Sequence, residues 1–426
     1  MEKIKKIKLV TFAPHPNFGT CLQSYALNYV LRKMGHDVEF IYNRREAPPL
    51  TPKRFAIKTA KRILKTLLSE KQIDRLKARK TAIETSKGQP APVVLKLPNH
   101  RLLGILSRLR GYRWAAKHWY YGNLQKRKVY KFTFVDDNFH MRRLFTASDY
   151  NAVVEDADLF ITGSDQIWNP YCGGYNPMMF LEFVKDDTKC IAYSSSISQP
   201  DIHPKVKGRM AKALSKFQYI GVREQRSVEL LNTMLGRTDV QLVVDPTYLL
   251  SAKEWENFGE RAELEFEVPE RYIFCYFVGE KRKDVYEQMV QDVKRFTGIT
   301  EVITLECYDR PLNYGGGRLY KDGGPYEWVY LLRHASYVCM DSFHATVFAL
   351  KFQKEFVHAL KNADTETGSQ NTRMYDILSR YGLLYKIYHQ HNDTSWQQEI
   401  NYNKVNPIIE HEIKKSLEYL RQEIES

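Results

Sequence analysis

The chain has 426 residues and a formal net charge of +14, with 64 Lys and Arg against 50 Asp and Glu. At about 150 residues per domain, this length predicts two or three domains. A hydrophobic content of 43% is enough to build a core and excludes a wholly disordered chain. No apolar run approaches the ~20 residues of a membrane span, and the run at residues 9–12 is too short for a signal-peptide core. We therefore expect a soluble, cytoplasmic protein.

Several common kinds of site are excluded by the motifs that the sequence lacks. It contains no GxxxxGK[ST] loop, no GxSxG, no HExxH and no CxxC pair. These absences argue against a P-loop nucleotide site, a serine hydrolase and a zinc site, and we expect no metal. The six cysteines are scattered singly, which favours reduced thiols over a disulfide framework.

The basic excess is concentrated in one segment. Residues 44–143 contain 26 Lys and Arg against 6 Asp and Glu, a net charge of +20, whereas the rest of the chain has a net charge of −6. The sequence therefore describes a slightly acidic body that carries a strongly basic insertion, and any polyanionic partner has to be argued from that insertion.

The chain begins with a βαβ pattern. Residues 8–12 predict a buried strand, and the apolar positions of residues 22–34 recur at helical spacing. Gly35 suits the end of that helix, and residues 38–41 predict the next strand. A strand, a glycine-containing loop, a helix and a second strand open a doubly wound sheet.

The basic insertion contains two amphipathic stretches, at residues 55–68 and 101–121. Basic amphipathic helices of this kind lie on anionic membrane surfaces. They are equally compatible with a helical subdomain whose apolar face packs on the body. The aromatic residues Trp114, Trp119, Tyr120 and Tyr121 among the basic ones also permit a third interpretation, in which the segment binds nucleic acid.

The βα pattern resumes after the insertion and continues to a charged helix at residues 406–425. Further strands are predicted at residues 158–162, 190–194, 219–223, 240–244, 272–277, 301–305, 337–340 and 355–358. Residues 251–270 are polar and predict a connection between two halves. We therefore expect an α/β fold with a first Rossmann-like domain at residues 1–255, a second at 265–400 and a C-terminal helix at 405–426.

Candidate site residues are those that directly follow strands, because open α/β sheets bind ligands there. Ser342 and His344 follow the strand at 337–340, where a helix N-terminus can bind an anion and the imidazole can move a proton. Arg223 lies at the end of the strand predicted at 219–223, and its guanidinium can bind a carboxylate or phosphate through two N–H donors. The alternatives are a structural N-cap for Ser342, a surface histidine for His344, and a salt bridge with Glu224 or a neighbour for Arg223.

The loop after the strand at 158–162 is the most unusual string in the chain. It combines a carboxylate, two amides and an indole, a mixture that commonly grips sugars; these residues are Asp165, Gln166, Trp168 and Asn169. The alternative is a structural turn around a buried Trp168. Asn17 and Gly19 follow the first strand and would lie near this loop.

These strings together resemble the polysaccharide pyruvyl transferase family, in the family's order and over residues 7 to about 360. The matching strings are Asn17-Phe18-Gly19, Leu22 to Leu27, Gly163 to Pro170, Val222-Arg223-Glu224, Asp245-Pro246-Thr247 and Asp341-Ser342-Phe343-His344. The resemblance implies two Rossmann-like domains facing a cleft, as in GT-B glycosyltransferases. It also implies transfer of pyruvate from phosphoenolpyruvate onto a sugar as a ketal, with no cofactor.

The resemblance also implies roles for individual residues. His344 would be the acid/base, and Arg223 would hold the phosphoenolpyruvate carboxylate or phosphate. Ser342 and Phe343 would seat the phosphate together with His344. The acceptor sugar would contact Asn17, Gly19 and the loop residues Asp165, Gln166, Trp168 and Asn169.

The sequence departs from the family pattern at two places. Ala345 replaces a usual glycine, and residues 195–198 read Ser-Ser-Ile-Ser instead of Ala-Ser-Phe-Gly. We expect a lipid-linked or nucleotide-linked acceptor sugar of a surface polysaccharide, an anionic inner membrane face as a partner of the 44–143 segment, and no nucleic acid. The alternative is a GT-B-like glycosyltransferase that uses a nucleotide-sugar.

Overall fold

The structure is a computed structural model that describes residues 4–12, 17–42, 133–172, 174–184, 189–307, 312–321, 323–364, 366 and 368–425. The described elements belong to one compact unit formed by residues 1–43 and 131–426. Both amphipathic stretches predicted for the basic insertion, at 55–68 and 101–121, lie outside the described residues.

The first half of the body contains one sheet and the helices that connect its strands. Its strands are β1 (Lys6–Val10), β2 (Asp37–Tyr42), β3 (Met141–Arg143), β4 (Leu159–Thr162), β5 (Cys190–Ser195), β6 (Tyr219–Val222) and β7 (Gln241–Leu242). Its helices are α1 (Phe18–Lys33), α2 (Thr133–Asn138), α3 (Ala147–Asp156), α4 (Pro204–Leu214), α5 (Gln225–Leu235) and α6 (Ala252–Gly259).

The second half repeats the same plan. Its strands are β8 (Ile273–Tyr276), β9 (Val302–Leu305), β10 (Arg318–Tyr320), β11 (Tyr337–Met340), β12 (Phe356–Ala359) and β13 (Ile387–Tyr388). Its helices are α7 (Lys283–Thr297), α8 (Pro325–His334), α9 (Phe343–Lys351), α10 (Thr372–Arg380) and the long C-terminal α11 (Tyr402–Glu425).

The two sheets share one topology. The first has the order β3-β2-β1-β4-β5-β6-β7 and the second the order β10-β9-β8-β11-β12-β13. The described strand pairs are parallel in both sheets. Each sheet therefore reverses its direction of growth once, between β1 and β4 and between β8 and β11, as a Rossmann fold does. The predicted α/β class with two Rossmann-like halves is confirmed.

Three central strands are continuous buried runs, because helices cover both faces of each sheet. Leu159–Thr162, Ile273–Tyr276 and Tyr337–Met340 are buried at every position. β1 departs from this pattern, since its buried Lys8 forms ion pairs with Glu39 of β2 and with Asp156. In both sheets the apolar core extends to the carboxyl ends of the strands, and the polar site residues follow directly after them.

The connection between the halves is more ordered than its composition suggests. It contains α6, whose N-cap Ser251 and third residue Glu254 form a reciprocal capping box. Trp255 and Phe258 of this helix are buried in the core. The predicted polar linker at 251–270 is therefore a packed helix followed by an extended stretch.

The C-terminal helix α11 follows the second half in sequence but packs on the first. The hydroxyl of Tyr419 donates to the carbonyl of Ala192 in β5 (3.2 Å), and Ser416 Oγ accepts from the N–H of Val244 (2.9 Å). In the described part of the chain, no helix combines the length and the apolar character needed to cross a bilayer.

Candidate functional site

The predicted site residues meet where the two sheets turn their carboxyl ends towards each other. From the first half come the start of α1, the loop after β4, Arg223 after β6 and Asp245 after β7. From the second half comes the start of α9, which follows β11. The two switch points of the fold therefore supply most of the site, as expected for open α/β sheets.

Arg223 lies at the centre of a buried cluster of carboxylates. Its side chain is only 1% exposed, and its Nη1, Nε and Nη2 donate to Asp245 (2.9 Å), Glu224 (3.1 Å) and Asp165 (3.3 Å). Phe343 of the other half covers the guanidinium at 4.3 Å from its ring centroid. This geometry favours the salt-bridge alternative for Arg223, extended to three carboxylates.

The charges in this cluster stabilise one another. Burial opposes ionisation of Asp165, but Arg223 and His344 lower its pKa to about 2. Burial likewise opposes ionisation of Asp245, but His344 and Arg223 hold its pKa well below the usual range. Both carboxylates are therefore charged at neutral pH, and Arg223 keeps them so.

His344 is paired with one carboxylate of this cluster. Its Nε2 lies 3.5 Å from Oδ2 of Asp245, an ion-pair distance that is long for a hydrogen bond. Among the described residues, this Nε2 has no hydrogen-bond partner. Asp245 is held in turn by Thr247, whose N–H and hydroxyl donate to Oδ1 at 3.0 and 2.7 Å. Nε2 thus faces a carboxylate without making a hydrogen bond to it, an arrangement that suits a side chain that transfers a proton.

Gly19 is needed because the histidine ring lies against it. A Cβ at position 19 would stand 2.3 Å from Nδ1 of His344, well inside van der Waals contact. Glycine therefore lets the backbone of α1 approach the imidazole closely. Asn17 is the N-cap of the same helix, and its side chain accepts from the N–H of Thr20 (3.3 Å).

The loop after β4 is bound to both halves of the molecule. Asp165 accepts from Thr20 Oγ1 (2.8 Å) and from the N–H of Gln166 (2.8 Å). Gln166 reaches the second half through Nε2, which donates to Gln370 (3.3 Å), and its Oε1 accepts from Asn169 (2.8 Å). Asp165, Gln166 and Asn169 thus form a network that joins the loop to the opposite half.

Trp168 corrects one expectation for this loop. It is 1% exposed, stacks on Phe180 at a centroid distance of 5.8 Å, and donates from Nε1 to the carbonyl of Met179 (3.0 Å). An indole packed in this way has no face to offer a sugar. The structural-turn alternative therefore describes Trp168, and we do not include it in the proposed acceptor site.

The start of α9 has the predicted helix geometry. Ser342 is the N-cap, with Oγ facing the N–H of Ala345 at 3.5 Å. The N–H groups of Phe343 and His344 belong to the first turn, which has no intrahelical acceptors. Asp341 fixes this turn by accepting from the N–H groups of Val278 and Gly279, both at 2.6 Å.

Two side chains of the site have no role predicted from the sequence: Asp245 is a candidate only because it follows a predicted strand, and Arg373 is not a candidate at all. Asp245 ends a strand and carries the Asp-Pro-Thr string, so its position could be anticipated but not its contact with His344. Arg373 is the second residue of α10, is 6% exposed and lies 5.7 Å from the ring centroid of Phe343. No strand-end pattern precedes it, so nothing in the local sequence marks it.

The sequence matches the Polysaccharide pyruvyl transferase family over residues 17–363. The chain belongs to this family. The residues matched to the pyruvyl transferases include Asp165, Arg223, Asp245 and His344, whereas Arg373 lies ten residues beyond the match. No curated protein sequence is significantly similar to this chain.

Solved structures similar to this pyruvyl transferase family member have low sequence identity. A UDP-GlcNAc 2-epimerase from Neisseria meningitidis bound to UDP-GlcNAc is 8% identical, with a TM-score of 0.46 and 99% of each chain covered. A putative UDP-N-acetylglucosamine 2-epimerase from Listeria monocytogenes is 8% identical, with a TM-score of 0.44, covering 97% of this chain and 91% of that one. An alpha-glucosyltransferase in complex with UDP and a 13-mer DNA is 9% identical, with a TM-score of 0.41, covering 99% and 96%.

Proposed function

We propose that the protein transfers pyruvate from phosphoenolpyruvate onto two hydroxyls of a sugar, forming a ketal during surface polysaccharide synthesis. The observation that carries this proposal is the pairing of His344, at the switch point of the second sheet, with Asp245, which follows β7 of the first sheet. Together with membership of the pyruvyl transferase family, it supports a proton-transfer site next to an anion site.

In the proposed reaction, His344 donates its Nε2 proton to the methylene carbon of phosphoenolpyruvate. The resulting cationic centre at C2 accepts one sugar hydroxyl, and the second hydroxyl then displaces phosphate to close the ketal. The proton of one hydroxyl returns to His344, in place of the proton that His344 gave to the new methyl group. The proton of the other hydroxyl leaves with phosphate. Asp245 stabilises the imidazolium that starts the cycle.

The remaining predicted residues support this step from their observed positions. Arg223 acts as a positioning residue, because it holds Asp245 against His344 and keeps Asp165 ionised. Because Gly19 has no side chain, the imidazole of His344 can lie against the backbone of α1. Asn17, Gln166 and Asn169 shape the first-half wall, and we propose that the acceptor sugar binds beside it. Ser342 and the first turn of α9 face the phosphate.

The acceptor is proposed to be a lipid-linked or nucleotide-linked sugar. The basic segment at 44–143 favours the lipid-linked form, since a net charge of +20 attracts an anionic membrane surface where such an acceptor would lie. No cofactor is required, because phosphoenolpyruvate supplies both the transferred group and the leaving group.

Ligand-dependent thermal stabilisation separates this function from a GT-B glycosyltransferase. A ligand that binds the folded state adds RT ln(1 + [L]/Kd) to its stability. Phosphoenolpyruvate should therefore raise the melting temperature of the wild type, and nucleotide-sugars that do not accept pyruvate should leave it unchanged. Stabilisation by a nucleotide-sugar donor, with none by phosphoenolpyruvate, would instead favour the glycosyltransferase. A panel of lipid-linked and nucleotide-linked sugars, scored by phosphate release, then identifies the acceptor.

A further inference from the structure

Arg373 is a buried arginine that forms no ion pair with any residue in the described part of the chain. Its side chain belongs to a residue that is 6% exposed, and in the described part of the chain its Nε has no hydrogen-bond partner. Its one described hydrogen bond runs from Nη2 to Oε1 of Gln370 at 3.4 Å, a neutral and long contact. Buried charged donors in this condition are rare and call for an explanation, often an absent ion.

The contrast with Arg223 is informative because the two side chains share one aromatic ring. Arg223 lies 4.3 Å and Arg373 5.7 Å from the ring centroid of Phe343. Arg223 is bound by three carboxylates, whereas Arg373 forms no ion pair within the described part of the chain. Burial and the neighbouring Arg223 lower the pKa of Arg373, whereas the carboxylates of Asp165 and Glu224, which already bind Arg223, act in the opposite direction without offsetting them.

The position of Arg373 on its helix is also unfavourable for stability. It lies in the first turn of α10, which contains no acidic residue, and the N-cap Asn371 makes no capping hydrogen bond from its side chain. A cation at a helix N-terminus opposes the helix dipole, typically by about 0.3–1 kcal/mol. The guanidinium and the helix end therefore present positive charge together.

We propose that Arg373 binds the anionic group of the donor substrate, its phosphate or its carboxylate. A guanidinium has the planar fork that grips either group with two parallel N–H donors. The ligand would compensate the buried charge, and Phe343 would keep Arg223 and Arg373 on fixed planes. Because it names a donor contact, this inference rests on the proposed pyruvyl transfer.

The test measures binding of three probes to the full-length protein by calorimetry: inorganic phosphate, pyruvate and phosphoenolpyruvate. The variants are Arg373→Met and Arg373→Lys. The matched control is Arg226→Met, which removes an arginine that is 45% exposed and paired with Glu229. Wild type should bind phosphoenolpyruvate, and whichever of phosphate or pyruvate binds to wild type but not to Arg373→Met identifies the group that Arg373 holds.

Arg373→Met should weaken phosphoenolpyruvate binding at least tenfold and raise KM more than it lowers kcat, with partial rescue by Arg373→Lys. The ligand-free Arg373→Met protein should melt at or above the wild-type temperature, because an uncompensated buried charge has been removed. A purely structural arginine would give the opposite shift in melting temperature.

Three results would overturn the inference. The first is that Arg373→Met binds phosphoenolpyruvate within twofold of the wild-type affinity. The second is that ligand-free Arg373→Met melts below wild type and loses affinity only as far as its loss of stability accounts for. The third is that wild type binds none of the three probes. If wild type turns over phosphoenolpyruvate and Arg373→Met binds it normally, only this inference fails. If Arg373 governs phosphate binding but phosphoenolpyruvate is not turned over, the anion site stands and the proposed function fails.

Discussion

At the scale of single residues, the site is organised by one arginine that reaches across its own half. Arg223 joins Asp165, Glu224 and Asp245, which come from three different strand ends. Removing one partner from such a buried group leaves the others without compensation, which is far costlier than losing a surface ion pair. Arg223 is therefore a structural requirement for the His344–Asp245 pair.

Arg223→Met should lower the free energy of unfolding by about 3–5 kcal/mol at pH 7, because buried carboxylates would be left without their cation. The wild-type pKa of Asp165, about 2 against an ordinary 3.8, stabilises the folded state above pH 4, and this contribution is lost between pH 4 and 2. In the variant, burial raises the carboxyl pKa values, so acidification towards pH 5 should reduce the deficit.

Urea unfolding at pH 7 and pH 5 measures this difference. Arg226→Met is the control, and its exposed position predicts a change within about 0.5 kcal/mol. A deficit for Arg223→Met that is equal or larger at pH 5 would contradict the proposed role of Arg223.

At the scale of elements, α9 carries His344 and is fixed at both ends. Asp341 ties its N-terminus to the loop after β8, and the ammonium of Lys351 at its C-terminus donates to the carbonyls of Tyr248 (2.7 Å) and Leu250 (2.6 Å) in the first half. Burial lowers the pKa of Lys351 to about 8. The helix thus spans the contact between the halves, and its position sets where His344 lies.

Asp341→Asn should lower the free energy of unfolding by about 1–3 kcal/mol, because one acceptor oxygen becomes a donor that faces a backbone N–H. Phosphoenolpyruvate turnover should fall as well, since the turn that follows carries His344. Chemical denaturation and phosphate release measure the two effects. Tyr286→Phe, which removes only the hydroxyl that donates to Asp341 (2.8 Å), should lose about 1 kcal/mol. A full loss of turnover at unchanged stability would contradict this positional role.

Elements with strong apolar patterns could be predicted from the sequence, and those without them could not. The strand at Tyr337–Met340 has the predicted bounds, because a continuous apolar run marks it locally. No helix is predicted at Thr372–Arg380, although it carries Arg373. The capping box of Ser251 and Glu254 is a sequence signal for the start of α6, but the polar composition of residues 251–270 predicts a connection instead.

The site could be predicted only as a set of strand ends. Position after a strand selects Arg223, Asp245 and His344, but their contacts depend on how two separate sheets face each other. Trp168 shows the limit in the other direction, since residue types that grip sugars also pack cores, and only burial distinguishes them.

At the scale of the whole molecule, the net charge of +14 separates into a body of −6 and a segment of +20 at residues 44–143. The residues of the proposed donor site, among them Arg223, His344 and Arg373, lie outside that segment in the sequence. We therefore relate the segment to the place where the acceptor is held, at an anionic membrane surface.

The full chain should sediment with vesicles that contain phosphatidylglycerol but not with pure phosphatidylcholine vesicles. Binding should be lost as salt rises above about 0.1 M, where screening acts within about 10 Å. Replacing Lys58, Lys61, Arg62 and Lys65 by Gln should weaken this binding without changing phosphoenolpyruvate binding. Equal sedimentation with neutral vesicles would contradict an electrostatic membrane role, and preference for duplex DNA would favour the nucleic-acid interpretation.

The central claim is that His344, held by Asp245, protonates phosphoenolpyruvate. The most direct measurement is acceptor-dependent phosphate release by wild type, His344→Gln and His411→Gln, a control histidine exposed on α11. We predict release with ketal formation for wild type and His411→Gln, and a loss of at least 100-fold for His344→Gln, in line with about 10²–10⁴-fold from general acid catalysis. Phosphate release by His344→Gln at the wild-type rate would contradict the account.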